Sequence, residues 1–361
     1  MDIVVGSGSL HYLQMFLGKR RSLMKVALQG QGKRYLGVPP LFNPQEGTTV
    51  LEPPGKSSGY WVGAPSVIYD EEVSKFYLYY RLRKPRPVRG GECYIAESKD
   101  GIKFTSIWGA KKEDFNSSSV EKSCLIKTID GKYRLYMSFV GPLDNRWRIE
   151  MMEASHPEEF KTDKREEILT ASSIQCEGVK DPYVLVVGGR YYMIVSYAPT
   201  PEKVNEELKK KMHITADVYN TGITKSHTGL ALSNDGISFK WWGNILSPGE
   251  LWDSYASRIS CILYLPPVFL AFYDGSSTVE ENYEEKTGLA ISFNLKDYDK
   301  ITEETPLLTS SYASGSLRYM DCIIVNEEIY YYYEYTRKDG SHELRMNKVP
   351  LFNPHSRRIP K

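Results

Sequence analysis

Acidic residues at two points of the chain precede apolar, strand-like runs and are candidates for acid–base chemistry. Asp181 comes before Pro182 and the run YVLVV, and Glu121 comes before SCLIK. Pro182 lacks a backbone N–H and fixes the backbone where the run begins. A charge at the start of a buried strand is costly unless it is paired. Asp181 is therefore the leading candidate to face a ligand, and Glu121, beside Lys122, is either a general acid with a shifted pKa or half of a salt bridge.

Arginine residues stand at comparable places in other parts of the chain. Arg258 lies in SRISCILYL, Arg318 lies with Asp321 in RYMDCIIV, and Arg81 ends the run FYLYYR. A guanidinium group binds carboxylates and phosphates through paired hydrogen bonds. These arginines could therefore hold an anionic ligand or the candidate acids. The alternative is that the charges pair with one another and only close the middle of the fold.

These acidic and basic residues stand at comparable places because the chain repeats one strand-rich unit of about sixty residues. Each unit has an apolar strand, a turn and a Tyr-rich strand, and the turns Asp130-Gly131 and Gly188-Gly189 are strong hairpin signals. Two units end on the related phrases SKDGIKF and SNDGISF. The five units read APSVIYDEEVSKFYLYYR from Ala64, EKSCLIKTIDGKYRLYMSF from Glu121, KDPYVLVVGGRYYMIVSY from Lys180, SRISCILYLPPVFLAFY from Ser257 and RYMDCIIVNEEIYYYYEY from Arg318.

The repeat predicts an all-β fold, a five-bladed β-propeller of four-stranded antiparallel blades. A sandwich would leave more free strand edges, and an α/β fold would need helical periods between the strands. We expect residues 59–361 to form the propeller and residues 1–58 to form an N-terminal extension. The extension either lends a strand that closes the ring or forms a small cap. A helical insertion in blade 3 is predicted at about residues 199–225, which contain EKVNEELKKKM.

The up-and-down path of such blades predicts which residues share a face. The starts of the first strands lie on the same side as the loops between the second and third strands. In blade 1 that loop is basic (RLRKPRPVRGGE), and in blade 4 it is acidic (DGSSTVEENYEEK). We expect this face to carry a ring of charges. Apart from Arg81, the basic residues of the blade 1 loop are expected to be solvated: Arg83, Lys84, Arg86 and Arg89.

Three motifs resemble the five-bladed propeller glycosidases, which include glycoside hydrolase families 43 and 32 and the mannoside phosphorylase family 130. The motifs are GVKDPYV (178–184), WDSYASR (252–258) and FYLYYR, which ends at Arg81. The resemblance covers roughly residues 60–350. It implies a carbohydrate-active enzyme that uses carboxyl groups on either side of a sugar, one of them protonating the leaving oxygen.

The resemblance also implies roles for individual residues, although this chain departs from the family patterns at two positions. The pattern of families 43 and 32 has an Asp where this chain has Ala64, whereas family 130 needs no such Asp because phosphate or water attacks. Family 130 has Glu-Asp-Pro-Arg where this chain has Glu121 followed by Lys122. The implied acids are Asp181, Glu121 and Glu177, the last by a short similarity to the invertase-like group. The implied substrate-binding residues are Trp252, Asp253, Arg258, Arg318, Asp321 and Arg81. Arg81 is the phosphate candidate, and Trp252 either stacks on a sugar or packs between blades.

Composition and motif searches argue against other function classes. The net charge is +1, and the acidic blade 4 loop opposes nucleic-acid binding. The six histidines lack zinc-binding spacing, and no nucleotide-binding glycine motif is present, so we expect neither a metal nor a cofactor. The five cysteines are scattered and form no CxxC pair, which predicts buried free thiols. The first residues do not resemble a signal peptide, and we expect a cytoplasmic location without a membrane segment.

Two classes of function remain open after these exclusions. One is a glycosidase or glycoside phosphorylase whose partners are a small carbohydrate and, for the phosphorylase, phosphate. The other is a non-catalytic propeller that binds a sugar or a protein, which the substitution at Ala64 favours. Fold alone does not distinguish the two. A homo-oligomer is compatible with both.

Overall fold

The structure, a computed structural model, describes residues 39–351, so expectations for residues 1–38 and 352–361 lie outside the described residues. The fold is all-β. The strands are β1 (Thr48–Leu51), β2 (Trp61–Asp70), β3 (Lys75–Lys84), β4 (Arg89–Ser98), β5 (Thr105–Lys111), β6 (Cys124–Lys127), β7 (Tyr133–Val140), β8 (Trp147–Ala154), β9 (Glu166–Leu169), β10 (Cys176–Val187), β11 (Arg190–Pro199), β12 (His227–Ser233), β13 (Lys240–Leu246), β14 (Ala256–Leu265), β15 (Val268–Ser276), β16 (Lys286–Ser292), β17 (Asp299–Lys300), β18 (Leu317–Val325), β19 (Glu328–Thr336) and β20 (His342–Pro350). An α-helix, α1 (Glu206–His213), and 3₁₀ helices at Pro44–Glu46, Lys112–Phe115, Pro157–Glu159 and Val218–Asn220 complete the described elements.

The strands form four-stranded antiparallel units in chain order. Unit 1 is β2–β5, unit 2 is β6–β9, unit 3 is β10–β13 and unit 4 is β14–β17. Unit 5 consists of β18–β20 and β1, which pairs antiparallel with β20. The described part of the N-terminal extension therefore lends a strand to the last unit. A parallel bridge between Trp61 and His342 joins units 5 and 1 into one larger sheet.

The units contact one another in a closed series. The first strand of each unit touches the first strand of the next, from β2 through β6, β10, β14 and β18 back to β2. A buried apolar cluster lies between every two consecutive units, including the last and the first. Because both faces of most strands are buried in this way, the strands suit the many Tyr and β-branched residues of the sequence.

The repeated phrases of the sequence are turns between the third and fourth strands. Asp100 Oδ1 accepts hydrogen bonds from the backbone N–H groups of residues 102 and 103, and Asp235 does the same for residues 237 and 238. Gly101 follows with a φ of 72°, a conformation that favours glycine. Tyr332 of unit 5 donates to Gly101 O at 2.6 Å, and an equivalent bond links units 2 and 3. The turns thus help to hold neighbouring units together.

The helical insertion predicted in the third unit is present between β11 and β12. Asn205 caps α1 by accepting a hydrogen bond from Leu208 N at 2.8 Å. Met212 and the segment after α1 pack against Trp147 of unit 2 in a separate apolar cluster. The insertion therefore lies over units 2 and 3, where it can supply side chains to the centre of the molecule.

Two further expectations concern cysteines and membrane segments. All five cysteines are free and buried, and each lies in a strand, as predicted. Within residues 39–351, no helix combines the length and the apolar character needed to cross a membrane.

Candidate active site

The first strands of units 1, 3 and 5 bend at equivalent points. Ala64, Asp181 and Tyr319 have φ values of 53°, 54° and 51°, in the left-handed region that residues with side chains rarely adopt. The pairing of each strand with its neighbour shifts register at the same place. Such bulges redirect side chains and are frequent next to active sites. The three equivalent positions hold a methyl group, a carboxyl group and a phenol.

Buried ion pairs link units 2, 1 and 5. Glu121 accepts hydrogen bonds from Arg81 Nε at 2.6 Å and from Arg83 Nη1 at 3.1 Å. Arg81 Nη2 lies 3.3 Å from Glu334 Oε2, and Arg318 donates to Glu334 Oε1 from Nε (2.9 Å) and Nη2 (2.6 Å). Burial opposes ionisation of both carboxyl groups. The surrounding cations, Arg81 foremost for Glu121 and Arg318 for Glu334, outweigh it and lower both pKa values. Both groups are therefore carboxylates at neutral pH.

The same network continues into unit 4. Glu285 accepts from Arg318 Nη1 and from Arg258 Nη1, both at 2.7 Å. Arg258 also donates from Nε to Ser226 Oγ at 2.7 Å and from Nη2 to Asn282. Burial works against the charge of Glu285, but the two guanidinium groups hold its pKa at about 2. One connected set of ion pairs thus runs through units 2, 1, 5 and 4.

Asp181, from unit 3, differs from the other carboxyl groups of this region. Lys180 Nζ lies 3.0 Å from Asp181 Oδ2, but without the angles of a hydrogen bond, and neither carboxyl oxygen has a hydrogen-bond partner among the described residues. Burial raises the pKa of Asp181, and Glu121 adds to the rise, while Lys180 and Arg258 oppose it. Asp181, like the buried Asp274 in β15, is thus an acid that the surroundings push toward its neutral form.

Other buried polar atoms also lack a hydrogen-bond partner within the described part of the chain. Arg81 Nη1 and Tyr319 Oη, near Asp181, are among them. Buried polar groups nearly always have hydrogen-bond partners, so several unpaired ones together indicate a place for a polar ligand. We use the name central cluster for the following residues, each 3% exposed or less: Arg81, Glu121, Asp181, Arg258, Glu285, Arg318, Tyr319 and Glu334.

The segment between β15 and β16 covers the central cluster. The ring of Tyr283 lies 4.5 Å from the Arg83 guanidinium, and its hydroxyl donates to Asp217. Asn282 donates to Asn220 Oδ1 at 3.0 Å. A cavity of about 430 Å³ lies above this segment, lined in part by Trp61, Asn220 and Tyr283. The cavity is open to solvent, whereas the cluster residues are buried.

The basic loop of the first unit is less solvated than the sequence suggests. Arg83 and Arg89 are buried, so the expectation that they are solvated is wrong. They lie within β3 and β4, which extend further than the sequence pattern predicts. Each meets a buried carboxylate: Arg83 pairs with Glu121, and Arg89 Nη2 lies 3.2 Å from Asp217 Oδ2. Arg86 is more exposed and also reaches Asp217, at 3.3 Å.

Glu177 lies outside the central cluster, at the start of β10. It accepts from Thr200 Oγ1 at 2.8 Å, and its other oxygen lies 2.8 Å from His213 Nε2 and 3.4 Å from Arg146. Burial opposes its charge, but His213, Thr200 and Arg146 lower its pKa. Both carboxyl oxygens of Glu177 therefore have partners, and none of these partners is Asp181 or another residue of the central cluster.

Trp252 and Asp253 contact the outer part of unit 4. The Trp252 ring stacks on Tyr273 with centroids 5.5 Å apart, and its Nε1 donates to Thr302 O at 2.7 Å. Asp253 pairs with Lys300 in β17. The structure does not bring these two residues into the central cluster.

Asp321 lies next to the cluster, between units 5 and 1. Its Oδ2 accepts from Val67 N at 2.8 Å, and its Oδ1 accepts from Cys322 N at 2.9 Å. Burial raises its pKa to about 6, although Lys122 and the two backbone N–H groups oppose the rise. Asp321 thus ties β18 to β2 through the backbone.

Sequence reasoning missed the roles of Glu334, Glu285, Tyr319 and Asp217. A signal for Glu334 was present: it ends the run YYYYEY, just as Arg81 ends FYLYYR, and both face the bend of the neighbouring first strand. Tyr319 could have been found by aligning its unit with KDP at residues 180–182. Asp217 and Glu285 lie in loops, where the repeat gives no register.

Within the described range, no group of three or more His, Cys, Asp and Glu side chains is arranged to hold a metal ion. The central cluster instead offers one carboxyl group with a raised pKa, three buried carboxylates and several guanidinium donors. This set suits a polar, uncharged or anionic ligand with several oxygen atoms.

Comparison with known proteins shows which solved structures share this fold. No family model matches the chain, and no curated protein is a significant match. Solved structures do match. A structure described as a glycoside hydrolase has a TM-score of 0.63 at 12% identity, covering 95% of this chain and 99% of that one. A thermostable family-43 glycoside hydrolase has a TM-score of 0.59 at 14% identity, covering 80% and 89%.

A phosphorylase is similar to the same extent. The β-1,2-mannobiose phosphorylase from Listeria innocua has a TM-score of 0.56 at 14% identity, covering 88% of this chain and 96% of that one. At such identities the likeness concerns the fold alone. The chain has the β-propeller fold that these structures share.

Proposed function

We propose that the chain is a five-bladed β-propeller enzyme that cleaves a small glycoside at the central cluster. The five units are the blades, residues 59–361 form the propeller, and the extension before residue 59 closes the ring through β1. The closed series of contacts between first strands supports this architecture. The fold shared with glycoside hydrolases and a mannobiose phosphorylase makes a carbohydrate the first candidate substrate.

The opposite pKa shifts of two acids in the central cluster carry the proposal. Burial and Glu121 raise the pKa of Asp181, while Arg81 and other cations lower the pKa of Glu121. Pairs of acids that their surroundings push apart are typical of acid–base catalysis. Asp181 protonates the glycosidic oxygen as it leaves. Glu121 remains a carboxylate and stabilises the positive charge that develops on the sugar ring.

The attacking group comes from outside the chain in this proposal. Ala64, at the bend of the first blade, offers no carboxylate. Water or phosphate therefore attacks the sugar. The unpaired Arg81 Nη1 is a donor for the phosphate in the second case. Arg258 and Arg318 hold Glu285 and Glu334 in place. Glu177 receives no catalytic role, because Thr200 and His213 occupy its oxygens.

A non-catalytic propeller that binds a sugar or a protein is the second candidate. The observation that favours it is the near-complete pairing of the buried charges, which by itself closes the centre of the fold. Ala64 in place of an acid points the same way. In that case Asp181 contributes to ligand binding or to packing and does no chemistry.

A screen of 4-nitrophenyl glycosides, with and without phosphate, tests the first candidate. We expect release of 4-nitrophenol from at least one glycoside, and a requirement for phosphate identifies phosphorolysis. Asp181→Asn should lower kcat by roughly 100-fold or more, since general acid catalysis contributes about that much. The 2,4-dinitrophenyl glycoside needs no protonation, so Asp181→Asn should retain most of its activity on it.

Glu177→Gln is the matched control. It removes a carboxylate from the same strand, and we expect it to retain kcat on both substrates. Equal activity of wild type and Asp181→Asn on the 4-nitrophenyl substrate would rule out Asp181 as the acid. Silence of the wild type across the panel would favour the binding protein.

A further inference from the structure

Tyr319 occupies a special position in the last unit. It stands at the bend of β18 with a φ of 51°, the place that Asp181 occupies in β10. The residue is 3% exposed. Its ring lies 4.8 Å from the guanidinium carbon of Arg318 and 6.0 Å from that of Arg81. A large aromatic side chain in this strained conformation, among charges, calls for a reason beyond packing.

The hydroxyl of Tyr319 is buried and has no hydrogen-bond partner among residues 39–351. Two buried tyrosines near the central cluster do find partners: Tyr79 donates to Glu121 O at 2.8 Å, and Tyr219 donates to Gly178 O at 2.9 Å. A buried hydroxyl without a partner is unfavourable, so it usually marks a bound water or ligand.

The charge state of Tyr319 fits a donor. Burial raises its pKa well above the ordinary value, and Asp181 and Glu121 add to the rise, while Arg318 opposes it. The phenol therefore stays protonated at neutral pH and can donate one hydrogen bond. The unpaired oxygens of Asp181 and the unpaired Nη1 of Arg81 belong to the same cluster. Together these atoms provide the mixed donors and carboxyl group that a sugar hydroxyl or ring oxygen requires.

We propose that Tyr319 is a further substrate-binding residue of the active site, whose hydroxyl donates a hydrogen bond to a sugar oxygen beside Asp181. This inference rests on the proposed function. It adds a binding residue from blade 5. Tyr319 stands at the bend of its first strand, where the equivalent residue of blade 1, Ala64, has no polar group. The bond orients the sugar for proton transfer from Asp181.

Tyr319→Phe tests the inference, with Tyr335→Phe as the matched control. Tyr335 also carries a buried hydroxyl without a partner in the described chain, but its ring packs near Arg345, outside the central cluster. Both variants remove one oxygen atom and no protein hydrogen bond. We expect the melting temperature of both variants to equal or exceed that of the wild type.

The two variants should differ in activity. On the 4-nitrophenyl glycoside identified by the screen, Tyr319→Phe should lower kcat/KM by about 10- to 1,000-fold, as loss of one oriented donor does in other enzymes. Tyr335→Phe should leave kcat/KM unchanged. A second readout is the thermal shift caused by the released monosaccharide, which Tyr319→Phe should reduce and Tyr335→Phe should retain.

The possible failures are distinguishable. Full activity and a full thermal shift in Tyr319→Phe, with an active wild type, would overturn the role of Tyr319 and leave the proposed function standing. A drop in melting temperature for Tyr319→Phe alone would assign the hydroxyl to folding and would also overturn it. An inactive wild type across the whole panel would refute the proposed function and this inference with it.

Discussion

Replacing Glu334 by Gln would test whether buried ion pairs hold the central cluster together. Glu334 is fully buried and pairs with Arg81 at 3.3 Å and with Arg318 at 2.6 Å, and its Oε1 lies 2.8 Å from His342 Nδ1. Removing one member of a buried pair costs about 3–5 kcal/mol, because the partner charge is left uncompensated. Arg81 and Arg318 each retain a second carboxylate, Glu121 and Glu285, so the lower end applies.

The expected loss is therefore about 3 kcal/mol. At an unfolding entropy of about 2.1 cal/mol/K per residue, each kcal/mol corresponds to a change of about 1.3 °C in melting temperature for 361 residues, so Glu334→Gln should melt about 4 °C lower than the wild type. Differential scanning calorimetry at pH 7 measures the change, and urea unfolding gives the free energy independently.

Glu97→Gln is the matched control for this prediction. Glu97 pairs with Lys75 at 2.7 Å, and unlike Glu334 and its partners both side chains are about one-third exposed. Exposed pairs contribute about 1 kcal/mol or less. If Glu334→Gln destabilises the protein no more than Glu97→Gln does, the buried pairs are not what stabilises the centre, and the reasoning from their geometry fails.

Two further predictions concern the same network. A Cβ atom built on Gly63 overlaps Glu334 Oε2, so Gly63→Ala should displace that carboxylate and destabilise the fold by about 1–3 kcal/mol; an unchanged urea midpoint would contradict this. Arg318 and Arg258 hold the pKa of Glu285 at about 2, below its ordinary value of 4.5. The stabilisation from Glu285 is therefore full above about pH 4.5 and is lost as the pH falls toward 2, so wild type and Glu285→Gln should converge in unfolding free energy over that range. A constant difference down to pH 2.5 would show that Glu285 stabilises the fold without its charge.

Sequence reasoning predicted the elements because their signals are local. The hairpin turns, the Asp-Gly phrases and the Tyr-rich runs each depend on residues within a few positions of one another, and their fivefold repetition indicates one kind of unit. The positions of Asp181, Glu121, Arg258 and Arg318 at first-strand starts follow from that repeat. The structure brings these four residues together.

The partners of these residues could not be read in the same way. Arg81 and Glu334 are 253 residues apart, and Arg81 binds both Glu334 and Glu121 only because consecutive units pack against one another. Trp252 and Asp253 lie next to a matching motif in sequence, yet they contact the outer strand of unit 4. Loop residues such as Asp217 and Tyr283 have no place in the repeat, so only the folded chain decides where they lie.

The sequence by itself therefore determined the repeated strand unit and the chemical types available at its first strands, because periodicity and turn chemistry act over short distances. Only the tertiary structure decided which of these acids has its pKa lowered and which has it raised. The pKa of a buried carboxyl group depends on charges contributed by several units and on the exclusion of water. Glu121 has Arg81 and Arg83 as close partners, whereas Asp181, at the start of the next unit, has no hydrogen-bond partner among the described residues. That contrast arises when the units come together around one centre.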